Sequence, residues 1–364
     1  MNTTPHSPEV LFAANEDAAT YFRRHLLGPE ATGPRDYLAG RGFAHLLDDT
    51  IWTVGHAPAS WTGLHDHLAD LGYTDETMLA AGLVTTSRRG SLIDRFRNRV
   101  TFGIRDTEGH LIGFTGRAAP GADQTVPRYL NTPRTAIYDK ATSLFGLGET
   151  ASRIREGATP VLVEGPLDAL AVDAANSDGP PVFAPLALCG TAFTPGHARQ
   201  LAASSPGTIV IALDHDASGA RAAQSAYFTL RETPSKLQAP KRQDSKDPAE
   251  ILGAHEPSAV RAHLNTVTPL ADRIVTDHLA NWPDIDDNAE ARICCLRSIA
   301  RVVSRMQPSD ISRQAARLAS HLDLPGETVT RELSTAVHDV AKAPTHTRPR
   351  HTQLRREGPR PQGT

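Results

Sequence analysis

Val161-Leu162-Val163-Glu164-Gly165-Pro166-Leu167-Asp168 is an apolar run that ends in an acid and a glycine, with a helical start directly behind it. The same pattern returns at Ile209-Val210-Ile211-Ala212-Leu213-Asp214-His215-Asp216-Ala217-Ser218-Gly219. Between the two, Val182 to Leu188 forms a third apolar run, and segments of helical character fill Leu167 to Asn176, the stretch from Thr194 and the stretch from Ser218. Unbroken apolar runs bounded by turns read as strands buried on both faces, and their alternation with helices spells β-α-β-α-β, a parallel sheet wrapped by helices. The fold class is α/β.

In such sheets ligands gather beyond the carboxyl ends of the strands. If the first and third strands are neighbours, Glu164, Asp214 and Asp216 converge there, and Gly165 and Gly219 allow the chain to turn tightly beside them. Clustered carboxylate oxygens suit magnesium, which takes one or two carboxylates together with water and substrate phosphates. Asp168, four residues after Glu164, either joins the cluster from the first helical turn or only pairs with the helix dipole. Asp247-Pro248-Ala249-Glu250 reads equally as a third acidic segment and as an N-cap, a first-turn proline and a third-position glutamate.

Upstream, residues 9 to 90 read as helical, with amphipathic spacing in Val10, Leu11, Ala18, Tyr21, Phe22 and in Leu64, Leu68, Leu71. From Asp94 the period changes to two: Phe96, Val100, Phe102 and Ile104 share one strand face, and Arg95, Arg97, Arg99 and Arg105 the other. Asp106-Thr107-Glu108-Gly109 supplies a turn, and Leu111, Ile112 and Phe114 return as the second strand of a hairpin. Downstream, 233 to 248 reads as a polar connection bearing lysines, and Ser258 to about Val340 as helices with a break at Leu324-Pro325-Gly326-Glu327. Gly146-Leu147-Gly148-Glu149-Thr150-Ala151 loosely fits a dinucleotide-binding loop but lacks the strand that should precede it.

Composition narrows the function classes. With 39% hydrophobic and 22% charged residues the chain is ordinary globular material, and no apolar stretch approaches the ~18 residues of a membrane helix. Cys189, Cys294 and Cys295 form neither a disulfide framework nor a paired-ligand zinc motif, so no zinc is expected, and a reducing cytoplasm fits. Cys294 and Cys295 read as small core residues. The net charge is −3, but the segment from Lys342 onward carries +5, leaving −8 for the rest. Nucleic-acid contacts of the folded part must therefore come from a local basic patch.

Taken in order, Asp94-Arg95-Phe96-Arg97-Asn98-Arg99-Val100, Ile112-Gly113-Phe114-Thr115-Gly116-Arg117, Arg128-Tyr129-Leu130-Asn131-Thr132-Pro133, Val163-Glu164-Gly165-Pro166-Leu167-Asp168, Leu188-Cys189-Gly190-Thr191-Ala192 and the Asp214 segment resemble the catalytic core of bacterial DnaG-type DNA primases, the last three its Toprim domain. The resemblance implies a primase-core N-terminal α+β subdomain over 1–155, a Toprim metal-binding domain over 156–256, a helical bundle over 257–340 and a disordered basic tail over 341–364. It implies template-directed synthesis of an RNA primer on single-stranded DNA from ribonucleoside triphosphates. Mg2+, or Mn2+ in its place, would be held by Glu164, Asp168, Asp214, Asp216 and Asp247, with Glu164, Asp214 and Asp216 catalytic and Glu164 a ligand or proton acceptor. Arg97, Arg99, Arg117, Arg128, Asn131 and Lys140 inherit contacts to nucleotide and template. A replicative helicase, or a separate protein supplying the zinc module this chain lacks, is the implied partner. The sequence departs from the family pattern at Ala249, where a second acid is usual and Glu250 follows, and at Arg128, where lysine is usual. Two other readings use the same residues: a Toprim-type nuclease, and a non-catalytic nucleic-acid-binding remnant of a primase.

Overall fold

The computed structural model describes residues 7–119, 121–123, 125–177, 179–190, 192–203, 207–214, 216–241, 247–282, 285 and 288–342. The chain divides into two units, Met1–Pro283 and Asp284–Thr364. In the first, four helices, α1 (Pro8–Leu27), α2 (Thr32–Ala39), α3 (Gly63–Asp70) and α4 (Asp75–Ala81), surround strand β1 (Val54–Ala57). Sequence spacing assigned residues 9 to 90 to helix, and β1, with the later strand at Val84–Thr86, is the correction. Four residues are too few for an alternation to register, and their strand character comes from pairing with β4 (Arg99–Arg105), His56 opposite Val100.

The hairpin β2 (Val84–Thr86) and β3 (Leu92–Asp94) precedes β4. β4 turns through Asp106–Gly109 into β5 (Leu111–Ala118), and β6 (Tyr129–Asn131) completes a sheet of order β1-β4-β5-β6. The expected amphipathic strand from Asp94 is broken: Asn98 adopts φ 50, and regular pairing begins only at Arg99. Its arginine face is also not a free one. Both faces of β4 are covered, and Arg99 is only 4% exposed. Val100, Phe102 and Ile104 join one core cluster with Trp52 and Phe145, whereas Phe96, expected on their face, packs in a second cluster with Phe22 and Phe114, the three rings edge-on.

After α5 (Leu147–Arg155) the parallel sheet begins: β7 (Thr159–Val163), α6 (Pro166–Ala174), β8 (Phe183–Ala187), α7 (Pro195–Ala203), β9 (Thr208–Ile211) and α8 (Ala217–Leu230). This is the β-α-β-α-β succession the apolar runs predicted. The supposed polar connection contains β10 (Lys236–Pro240), which pairs parallel to β9, Leu237 opposite Ile209. Helices α9 (Pro248–Ala254) and α10 (Pro257–Asn265) follow, then β11 (Val267–Pro269), antiparallel to β10, and α11 (Leu270–Leu279). Residues 257–279, expected in the bundle, thus add an edge strand and helices to the sheet. The strand order is β11-β10-β9-β7-β8. The chain builds outward from β7 to β8 and then crosses to β9 on the other side, so the order reverses between β7 and β9. A crevice opens at such a switch point.

The second unit holds α12 (Ala289–Val303), α13 (Pro308–His321) and α14 (Gly326–Lys342), packed around Leu296, Ile299, Val303, Leu318, Val329 and Leu333. The break at 324–327 falls between α13 and α14, where proline and glycine predicted it. Cys295 is buried but Cys294 is exposed, so only one of the pair is a core residue. No helix among the described residues is long and apolar enough to cross a membrane. Thr191, His215, Lys246 and the basic tail from residue 343 lie outside the described residues.

Candidate active site

β7 and β9 run side by side, with Val161 opposite Val210 and Leu162 opposite Ile211. Glu164 and Asp214 leave the sheet two and three residues beyond that pairing, which brings both carboxylates to the crevice at the switch point. Glu164 is half-buried, and burial, followed by the charge of Asp214, pushes its carboxyl up to about 7. Asp214 is raised by burial and by the charges of Asp247 and Asp216, an effect Arg128 partly offsets. Asp216, an exposed residue, accepts at Oδ1 from the amides of Ser218 at 2.8 Å and Gly219 at 2.7 Å, which caps α8.

Asp168 sits in the first turn of α6, and burial, then the charges of Asp247 and Asp214, hold its carboxyl well above the usual range. Asp247 caps a helix and also stands among the acids. Its Oδ1 accepts from Glu250 N at 2.6 Å, capping α9, while its charge acts on both Asp168 and Asp214. Glu250 is exposed and exerts no such influence, and Ala249 is buried with its amide 3.4 Å from Asp168 Oδ1. The five acids thus gather at the switch point, and Arg128 acts on Asp214 among them.

The donor set suits a divalent cation. Its oxygens are hard ligands, and mutual repulsion already raises three of the carboxyls. Among the described residues, the only trio of ligating side chains within 4.8 Å is Asp106, Glu108 and His110 at the hairpin turn. No three of the five acids bring ligand atoms that close together, so an ion among them would complete its shell with water and phosphate oxygens. The hairpin trio is accounted for locally: Asp106 Oδ1 accepts from the amides of Glu108 and His110, and Phe12 stacks on the His110 ring at 4.3 Å.

The antiparallel sheet reaches this crevice through β6. Arg117, 9% exposed, donates to the Tyr129 hydroxyl at 2.6 Å and lies over the rings of Tyr37 and Tyr129. That hydroxyl reaches the Gly165 corner, 3.2 Å from where a Cβ there would sit, a residue type only the close approach explains. Asn131 Nδ2 donates to the carbonyl of Cys189 at 2.8 Å, behind the end of β8. Tyr129 was legible only as an aromatic neighbour, and its role as the joint between sheets has no sequence signal.

The predicted basic residues separate into two groups. Arg99 donates to the carbonyls of Gly116 at 3.0 Å and Pro127 at 2.9 Å, and Arg97 donates to the Asp94 carbonyl and lies 4.5 Å over the exposed Trp61 ring. Arg95 holds the Asn131 carbonyl and Arg105 pairs with Glu16. Arg128 and Lys140 are exposed, and neither makes an ion pair among the described residues. Gly146, offered by the dinucleotide-like motif, instead starts α5 at φ 88, pressed against the Pro185 carbonyl.

Comparison with known proteins matches residues 21–151 to the DNA primase catalytic core, N-terminal domain, and residues 161–252 to a Toprim-like family. The chain belongs to the DnaG-type primase catalytic-core family. The DNA primase of Deinococcus radiodurans is 37% identical over 257 residues, which cover 70% of this chain and 42% of that protein. The chain spans less than half the length of the curated primases it matches. The crystal structure of the RNA polymerase domain of Mycobacterium tuberculosis primase DnaG superposes with a TM-score of 0.74 at 28% identity, covering 86% of this chain and 99% of that one. A DnaG primase catalytic domain solved bound to ssDNA gives a TM-score of 0.67 at 27% identity, covering 87% of this chain and 96% of that one. The Toprim primase core implies a divalent metal, in keeping with the acidic crevice described above.

Proposed function

We propose that this chain is a DNA-directed RNA polymerase of the primase type, which joins ribonucleoside triphosphates on a single-stranded DNA template in the cytoplasm. The observation that carries the reading is the convergence of Glu164, Asp168, Asp214, Asp216 and Asp247 at the switch point, with Arg128 beside them. The relative solved on ssDNA supports the choice of template.

The 3′-hydroxyl oxygen of one nucleotide attacks the α-phosphorus of the next. An O–P bond forms, the bond from the α-phosphorus to the bridging oxygen breaks, and pyrophosphate leaves with that electron pair. Glu164, lifted to about 7, would accept the hydroxyl proton. Asp168, Asp214, Asp216 and Asp247 would hold Mg2+, with Mn2+ as a substitute and no zinc. The ion supplies charge neutralisation for the phosphates and orients the attack. Arg128 and Lys140, exposed and unpaired, would grip nucleotide and template phosphates. Arg97, Arg99, Arg117 and Asn131 would act chiefly by holding β4, β5 and β6 in place, since each already donates to a carbonyl or hydroxyl of the fold. A helicase, or a separate zinc-module protein, would present the template.

The test is synthesis of short labelled ribo-oligomers on single-stranded DNA with Mg2+ or Mn2+. Oligomers lost in Glu164→Gln and Asp214→Asn support the reading. Template shortening abolished by the same changes would instead make the site a nuclease. Salt-sensitive DNA binding with neither product would mark a non-catalytic remnant.

A further inference from the structure

On the Glu164 side of the crevice lies a cavity of about 500 Å3, lined by Glu164, by Leu188, Gly190 and Ala192 after β8, and by Ser218, Arg221, Ala222 and Ser225 of α8. Its volume falls in the range of small-molecule sites, ~300–1,000 Å3. The four α8 residues stand at positions i, i+3, i+4 and i+7, one face of the helix, so that wall extends about 10 Å from the capped end of α8. Ser225 Oγ donates to the Phe193 carbonyl at 3.2 Å, which ties the middle of α8 to the segment just after Ala192. Arg221 makes no ion pair and no hydrogen bond among the described residues, and neither does the Ser218 hydroxyl. A cavity that puts an unpaired guanidinium and a free hydroxyl along one wall, apolar Leu188, Ala192 and Ala222 about it, and a carboxylate at its mouth fits a phosphorylated nucleoside.

Which nucleotide it fits follows from the reaction. The triphosphate of the incoming nucleotide is attacked and must lie among the metal-binding acids. The nucleotide that supplies the 3′-hydroxyl keeps its own triphosphate, which needs a second place where a cation can meet it, with its 3′ end near Glu164. The geometry points to this cavity as the initiating-nucleotide site, with Arg221 holding the retained 5′-triphosphate and Ser218 a polar contact beside it. The inference rests on the polymerase reading and specifies where its first substrate binds. Arg221 is a binding residue here, remote from the proton transfer.

The experiment compares two initiators on the same template, a ribonucleoside triphosphate and a dinucleoside monophosphate with a 5′-hydroxyl, using the full chain and its Arg221→Ala and Arg221→Lys variants. Arg221→Ala is expected to raise the KM of the triphosphate initiator by about tenfold, as loss of one charge-assisted contact does. It should leave extension of the dinucleoside unchanged, and Arg221→Lys should recover part of the loss. Equal effects on both initiators, or none on either, overturn the assignment. Binding of ATP against adenosine in the presence of a chelator reads the same cavity without synthesis: the unaltered chain should prefer ATP, and Arg221→Ala should lose that preference. Absence of oligomers from the unaltered chain then counts against the polymerase reading, while a preference unchanged in Arg221→Ala counts against the cavity.

Discussion

Asn131 and Cys189 are joined by a hydrogen bond, Nδ2 to carbonyl at 2.8 Å, that links the antiparallel sheet to the strand ends of the parallel one. The Cys189 backbone sits at φ 54, a conformation that turns the chain back from β8. Together with the Tyr129 hydroxyl at the Gly165 corner, this bond ties β6 to the parallel sheet next to Arg128, whose charge acts on Asp214. Replacing Asn131 with alanine removes the bond and is expected to cost about 1–2 kcal/mol of stability. Primer synthesis should fall by more than the unfolded fraction explains. Denaturant unfolding alongside turnover checks this, and turnover that merely tracks the folded fraction would show that the bond positions nothing.

Arg117 and Arg128 should behave oppositely. Arg117 is buried on Tyr129, so Arg117→Met leaves that hydroxyl without its donor and should destabilise by about 1–3 kcal/mol. Arg128 is exposed, so Arg128→Met should shift stability by less than ~0.5 kcal/mol. Because Arg128 opposes the upward push on Asp214, its removal should tighten Mn2+ binding while raising the KM for nucleotides. Thermal unfolding and a Mn2+ titration by electron spin resonance separate the two residues.

Proton and metal should compete for the crevice. The folded-state carboxyl of Glu164 lies near 7 against an ordinary 4.5, so the stability it contributes is fully present below about 4.5 and is lost as pH rises through about 7. Asp168 and Asp214 are raised in the same direction. Metal-free protein should therefore melt at lower temperature at pH 8 than at pH 6, and Mg2+ should raise the melting temperature more at pH 8. A Mg2+ effect independent of pH would contradict the shared site.

Glu149 offers a control remote from the crevice. Both its oxygens are buried without a hydrogen-bond partner, and burial lifts its carboxyl to about 7 despite Arg105 nearby. Glu149→Gln should stabilise the fold by ~1–3 kcal/mol at pH 8, where the native carboxylate is charged, and by little at pH 5. Urea denaturation at the two pH values reads this directly, and a gain of equal size at both would show that packing, not charge, is responsible.

Gly219 tests the tightness of the Asp214–Asp216 turn. A Cβ there would overlap the Asp214 carbonyl, a backbone atom that cannot swing aside. Gly219→Ala should abolish synthesis and cost roughly 3 kcal/mol or more. Near-native activity in that variant would mean the turn is looser than described.

The sequence by itself determined the β-α-β-α-β succession, because strands buried on both faces must be apolar throughout, and it placed Glu164, Asp214 and Asp216 at their ends. It also located the β4–β5 hairpin, whose turn chemistry is local. It could not show that β1, β2, β10 and β11 are strands, since their short runs carry neither alternation nor an unbroken apolar stretch and take strand form from a partner. Nor could it decide that the arginines from Arg95 to Arg105 hold carbonyls and Glu16, because alternation specifies a face but not what covers it. Only the tertiary structure settled that Asp247 is both a helix cap and a member of the acidic cluster. The physical reason is the same throughout: chemistry carried by one residue is written locally, whereas burial, pairing and the charges a group feels belong to neighbours distant in the chain.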